Sequence, residues 1–99
     1  MPTSVSTVKT DHASRYLQQL CKHWSHRFAV EFNEAAGKVP FSPETSVEFV
    51  ADASTLLMTL HVENPQDLER MQNVVVDHLK RFAFREELDV DWTVDTSRV

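Results

Sequence analysis

One glycine, Gly37, and one cysteine, Cys21, occur in 99 residues. With a single glycine neither a GxGxxG fingerprint nor a Walker loop can be written, which excludes nucleotide binding by those backbone cradles. With a single cysteine no intrachain disulfide can form, and nothing in the chain asks for an oxidising compartment. Long apolar runs are missing as well. The longest, TLLMTLHV, is strand-sized and far short of a membrane span. The opening MPTSVSTVKT has neither the basic nor the apolar region of a signal peptide. Cations are in deficit, 10 Lys and Arg against 15 Asp and Glu, for a net charge of −5. That balance disfavours nucleic acid, whose nonspecific binding depends on neutralising phosphates. The expectation is a cytoplasmic protein with no membrane or nucleic-acid partner.

What is present is enough for one modest core. The 41% hydrophobic and 25% charged residues are ordinary for a globular chain, and the length suits a single domain over residues 1–99. The charge is unevenly spread. Residues 12–28 hold Arg15, Lys22 and Arg27 with no acid, so the remainder carries an excess of eight negative charges.

Periodicity divides the chain into eight elements. TSVSTVKT is β-branched and reads as a strand. Thr10 or Asp11 then caps a helix running to about Arg27. At about 100° per residue, Tyr16, Leu17, Leu20, Cys21, Trp24 and Phe28 fall on one face. Arg15, Gln19, Lys22, His23 and His26 fall on the other. FAVEFN alternates with Phe28, Val30 and Phe32 on one side, and a turn follows at Gly37. KVPFS is a weak strand that Pro40 pushes to an edge. TSVEFVAD and TLLMTLHVE direct Val47, Phe49 and Ala51, then Leu56, Met58, Leu60 and Val62, inward across a hairpin at Asp52–Ser54. Asn64 and Pro65 open a second helix that buries Leu68, Met71, Val75, Leu79 and Phe82. LDVDWTVD alternates strictly, with Leu88, Val90, Trp92 and Val94 on its inner side. The order β-α-β-β-β-β-α-β predicts an α+β, two-layer sandwich: an antiparallel sheet of five to six strands with two helices on one face.

Two stretches, RYLQQLCKHWSHRF and DHLKRFAFREELDVDW, resemble a bacterial family catalogued as domain of unknown function 2218, over roughly residues 4–92. The resemblance implies a small cytoplasmic protein of bacteria. It also implies a link to iron, since members are often encoded near, or fused to, siderophore-utilisation and iron-uptake proteins. It implies no catalytic residue.

Candidate sites follow from residue chemistry. Cys21 and His23 point about 160° apart on a helix, so one ion cannot take both. His23 and His26 are neighbours that lack a third ligand, and no metal or cofactor is expected. Cys21 lies on the apolar stripe between Leu17 and Trp24, where a free cysteine fills core and is not activated as thiolate. The outer sheet face offers Glu31, Glu48, Asp52, His61, Glu63, Asp89 and Asp91, with Leu57 and Val50. That face suits a hard cation, a protein contact, or solvent that discourages edge pairing.

Between the helices, Tyr16, His23, His78 and Arg85 are expected to line one groove of donors suited to an anionic ligand. Arg15, Lys22, His23, His26 and Arg27 form a basic strip on which an acidic protein would dock. The leading expectation is therefore a small non-enzymatic binding or accessory protein, monomer or weak dimer, of iron–siderophore utilisation. The alternative is an enzyme using His23 and His78 as acid and base in the groove. A concave pocket where the two converge would favour the enzyme, and a flat exposed helix the docking protein.

Overall fold

A computed structural model describes residues 2–96. Strand β1 (Pro2–Lys9) leads to helix α1 (Ala13–Trp24), followed by β2 (Glu31–Phe32), β3 (Ala36–Ser42), β4 (Thr45–Ala51) and β5 (Thr55–Val62). A 3₁₀ turn (Pro65–Asp67), helix α2 (Leu68–Phe82) and β6 (Thr93–Thr96) complete the described chain. This is the expected α+β order. The strands form one open sheet, β2-β3-β4-β5-β1-β6, in which every neighbouring pair is antiparallel.

The sheet's period-two pattern sets which face is covered. Pairing of Val47 with Leu60 and Phe49 with Met58 puts the apolar residues of β4 and β5 on one side. These four, with Leu56 and Val62, are fully buried. Glu48, Thr59 and His61 alternate to the outer side and stay half-exposed. The hairpin between the two strands forms because Asp52 Oδ1 accepts from Ser54 N at 2.9 Å and Thr55 N at 2.7 Å. Both helices lay their apolar stripes on the same core. Helix α1 contributes Tyr16, Leu17, Leu20, Cys21 and Trp24, and α2 contributes Met71, Val75 and Leu79. A large apolar side chain so buried contributes about 1.5–3 kcal/mol.

Several local expectations are corrected. Neither Thr10 nor Asp11 caps α1; His12 occupies the cap position without a side-chain bond. The Thr10 hydroxyl instead accepts from His12 N, outside the helix. Helix α1 ends at Trp24 rather than Arg27, and Ser25–Phe28 turn out of it with Phe28 N bonded to Trp24 O. Because Phe28 and Val30 spend their amides on such local carbonyls, the predicted strand shrinks to Glu31–Phe32. Phe32, read on one side with Phe28 and Val30, is 41% exposed, while those two are half-buried.

The turn read at Gly37 lies earlier, where Asn33 Oδ1 accepts from the amides of Ala35 and Ala36. Gly37 is inside β3, and a Cβ there would lie 2.6 Å from Cys21 Sγ. Close approach of α1, rather than chain reversal, calls for glycine at that point. Pro40 behaves as expected. Strand β2 reaches β3 only at Lys38 and Gly37, so Val39–Ser42 is an edge, and its register slips between Pro40 and Ser42.

Asn64 does cap the second helical segment, accepting from Gln66 N at 3.0 Å. At the far end, the strand read over residues 88–95 is paired only in Thr93–Thr96. Leu88, Val90 and Trp92 still pack on the core, but a cleft lined by Thr7, Lys9, Glu87, Asp89 and Asp91 separates that segment from the second half of β1. Val94, at the sheet's margin, is 46% exposed.

Candidate functional site

A cavity of about 450 Å³ opens between the first half of α1 and the C-terminal end of α2 with the chain after it. Its lining comprises His12, Arg15, Tyr16 and Gln19 on one side and Phe82, Phe84, Arg85 and Glu86 on the other. The amphipathic spacing of α1 accounts for the first wall. Tyr16 belongs to the buried stripe, while Arg15 and Gln19 border it toward solvent. The second wall exists because α2 stops at Phe82, so Phe84–Glu86 fold back toward the start of α1.

Glu86 holds that return in position. Its carboxylate accepts from the Thr10 hydroxyl at 3.1 and 3.2 Å and from the Tyr16 hydroxyl. One carboxylate thus ties three points of the chain together: the end of β1, the first turns of α1 and the segment after α2. Burial, followed by the hydrogen bond and negative charge of Glu86, pushes the Tyr16 phenol up to about 12.

The polar groups of the cavity are unevenly satisfied. Gln19 Oε1 is buried without a hydrogen-bond partner, a costly condition unless a donor reaches it. Among the described residues the ion pairs are His61–Glu48 and Arg70–Asp67, so neither Arg15 nor Arg85 is matched to an acid. The Arg85 guanidinium lies 5.4 Å from the centre of the Phe84 ring, and Phe84 is 75% exposed. Two cations, three aromatic rings and the Glu86 carboxylate therefore line one hollow.

The groove expected from sequence is divided by the structure. Tyr16 and Arg85 line the cavity, whereas His23 and His78 pair outside that lining, with ring centres 5.2 Å apart. Phe82 stands between, lining the cavity with its ring centre 6.1 Å from that of His23. Of the basic strip, Arg15, Lys22, His23, His26 and Arg27 are all exposed. Desolvation, and after it the nearby His78, His26 and Arg81, hold the His23 imidazole below its ordinary pKa.

Sequence reasoning missed Glu86, because an acid is not what an anion site suggests. The signal available was the pair Thr10 and Tyr16, two inward hydroxyls that need an acceptor. His12, Gln19, Phe82 and Phe84 were missed for want of any sign that the chain doubles back after α2.

The remaining candidates are dispersed. Cys21 is fully buried, and burial pushes its thiol up to about 11, the opposite of an activated nucleophile. Asp52 is engaged in the hairpin turn, whose amides hold its carboxyl below the usual range. Glu48 pairs with His61 at 3.2 Å. Glu31 and Asp91 lie toward opposite margins of the sheet. Among the described residues no three His, Cys, Asp or Glu side chains converge as a metal site, and no helix is long and apolar enough to cross a membrane.

Comparison with known proteins agrees with the motifs. Residues 5–93 match a family described as an uncharacterized protein conserved in bacteria, DUF2218. The chain belongs to that family. No curated protein matches the chain. Among solved structures it is similar to PA4090 from Pseudomonas aeruginosa, determined by NMR, with 41% sequence identity and a TM-score of 0.79. The match covers 94% of this chain and 96% of that one. Within this DUF2218 chain, the two stretches that carry the resemblance meet across the cavity. Arg15, Tyr16 and Gln19 come from the first, and Phe82, Phe84, Arg85 and Glu86 from the second.

Proposed function

We propose that this DUF2218 protein is a small non-enzymatic binding protein whose inter-helix cavity takes an anionic small molecule with a flat apolar body. The observation that carries the reading is the pair of unmatched guanidiniums, Arg15 and Arg85, at the rim of a hollow walled by Tyr16, Phe82 and Phe84. Guanidinium forks suit a carboxylate or phenolate, and aromatic walls suit the ring that bears it. About 450 Å³ falls within the range of small-ligand sites. Aromatic, anionic iron chelators are one class with this chemistry, and the siderophore link that the resemblance implies makes them the first to try. Lys22, His23, His26 and Arg27 continue the basic surface away from the cavity, which supports docking of an acidic partner on the same face.

The enzyme alternative has less support. His23 and His78 approach each other, but neither lines this hollow, where a substrate would need to meet them.

Amide-shift mapping with salicylate, a ferric catecholate and a ferric hydroxamate tests the proposal. Salicylate or the catecholate should move the amides of Arg15, Tyr16, Gln19 and Phe84–Glu86. Arg15→Gln and Arg85→Gln should each weaken binding and flatten its salt dependence, with stability within about ±0.5 kcal/mol. Shifts confined to the outer sheet face, or affinity unchanged in both variants, would sink the reading.

A further inference from the structure

His23 near the end of α1 and His78 in α2 have ring centres 5.2 Å apart and planes inclined at 45°. They come from different helices, so their spacing is set by how α1 packs on α2. Aromatic rings flank the pair, with Trp24 centred 5.0 Å from His78 and Phe82 centred 6.1 Å from His23. Neither imidazole is bonded to another side chain. Among the described residues, the histidine rings that make hydrogen bonds are those of His61 and His78. The bond of His78 is to its own helix, Nδ1 to Val74 O at 2.7 Å. A carbonyl oxygen only accepts, so Nδ1 donates and Nε2 is the nitrogen left for another partner. A bond of this kind, ring N–H to backbone carbonyl, commonly orients metal-ligating histidines. Among the described residues, His78 makes no hydrogen bond across the helix pair.

We propose that His23 and His78 form a cross-helix site for a late first-row divalent cation of the zinc, copper and nickel group. Two imidazoles on one tetrahedral ion, with metal–nitrogen bonds of about 2.1 Å, have ring centres roughly 5 Å apart. The observed 5.2 Å fits that spacing. The donor chemistry narrows the ion. The charges that bear on His23 are those of His78, His26 and Arg81, with no carboxylate among them. Hard cations that need oxygen ligands, magnesium, calcium and manganese, have nothing to hold them there. Neutral nitrogen donors favour copper, nickel and zinc, and the general affinity order puts divalent copper first. No third protein ligand joins the pair among the described residues, so solvent completes the coordination and the site stays open. The site is separate from the cavity and does not depend on that reading.

The test is titration with Zn²⁺ or Cu²⁺ salts alone, read by NMR of the histidine rings, tryptophan fluorescence and thermal unfolding. Substoichiometric Cu²⁺ should broaden His23 and His78 ring signals before those of His12 and His61, and quench Trp24, whose ring lies 5.0 Å from that of His78. Zn²⁺ should raise the unfolding midpoint of the wild type, since it joins two helices in the folded state only. Loss of an outer-shell partner alone commonly costs 10–100-fold in metal affinity, so His23→Gln and His78→Gln should each cost about tenfold or more. His23 is exposed, so His23→Gln keeps the test valid even where His78→Gln disturbs packing. Affinity unchanged in His23→Gln, or first broadening at His61, which is tied to Glu48 on the outer sheet face, would overturn the proposal.

Discussion

Replacing Gly37 by alanine tests the most specific packing statement made by the fold. A methyl group on Gly37 would lie 2.6 Å from Cys21 Sγ, 3.0 Å from Phe32 Cβ and 3.5 Å from Leu17 Cδ2. The optimum for such contacts is about 3.5–4.0 Å, so the sulfur must give by roughly 1 Å. It has little room. Cys21 is fully buried on the face of α1 that also holds Leu17 and Leu20, so movement of the sulfur means movement of the helix on the sheet. Overpacking of this kind costs about 1–3 kcal/mol, and the lost freedom of glycine in the unfolded chain offsets about 0.4–1 kcal/mol. The net expectation for Gly37→Ala is a destabilisation of about 1–2 kcal/mol.

The cause is separable from a general intolerance of side chains in β3. Cys21→Ala alone leaves a small cavity and costs about 1–2 kcal/mol. In Gly37→Ala/Cys21→Ala the new methyl occupies the space vacated by the sulfur. The two costs should then fail to add, with a favourable coupling of about 1 kcal/mol or more. Urea denaturation of the four proteins in the cycle measures this. A neutral or stabilising Gly37→Ala, or a cycle additive within about 0.3–0.5 kcal/mol, would refute the close-approach argument.

Two further outcomes follow from the same core. Trp24 is 4% exposed, edge-on to Phe41 at 5.1 Å and stacked with Phe49 at 6.2 Å. Trp24→Ala should cost about 3–5 kcal/mol by chemical denaturation, and a loss under about 1 kcal/mol would mean that the helix buries another face. Tyr16 gives a pH signature. Its phenol, pushed from 10.0 to about 12 by burial and then by Glu86, is neutral when protonated, so folding favours the protonated form. That contribution, up to about 3 kcal/mol, is full below pH about 10 and is lost as pH rises toward about 12. The stability gap between wild type and Tyr16→Phe should therefore narrow between pH about 8 and about 11. Cys21 titrates in both proteins and cancels, so a gap that stays constant would contradict the assignment.

Legibility from sequence tracked the length of each amphipathic stripe. The hairpin from Thr45 to Val62 and both helices were readable because five or more positions repeat with one period, which no turn imitates. Short segments were not. Residues 28–32 alternate as a strand does, yet local bonds from Phe28 and Val30 claim their amides before the sheet can. Residues 88–92 keep the inside–outside alternation without the ladder, because packing on the core demands only that Leu88, Val90 and Trp92 face inward. Gly37 misled for a related reason: glycine is commonest in turns, and only the height of α1 above β3 reveals the other need.

The candidate site divides along the same line. Which residues stand on a helix flank follows from periodicity, and Tyr16, His23 and His78 do lie on the helices, whereas Arg85 lies in the turn after α2. Which flanking residues meet depends on how far one helix slides along the other, and no single helix encodes that. The tie from Glu86 to Thr10 and Tyr16 sets it here, drawing the segment after α2 onto the start of α1. With that end held, Arg85 falls beside Arg15 and Tyr16 around the cavity, and His78 falls beside His23 beyond Phe82. The expected single groove therefore becomes two places: a hollow lined by Arg15, Arg85, Glu86 and aromatic rings, proposed for an anion, and a pair of imidazoles, proposed for a cation. Glu86 then positions both sites without lying in the second. Its replacement by glutamine, which accepts less strongly from two hydroxyls, should disturb anion binding and the His23–His78 spacing together, whereas Arg85→Gln should affect the first alone. Ring-signal mapping with Zn²⁺ and amide mapping with salicylate on these two variants read the two effects separately. A His23 and His78 response to Zn²⁺ that is unchanged in Glu86→Gln would mean that the helix register is not set by Glu86.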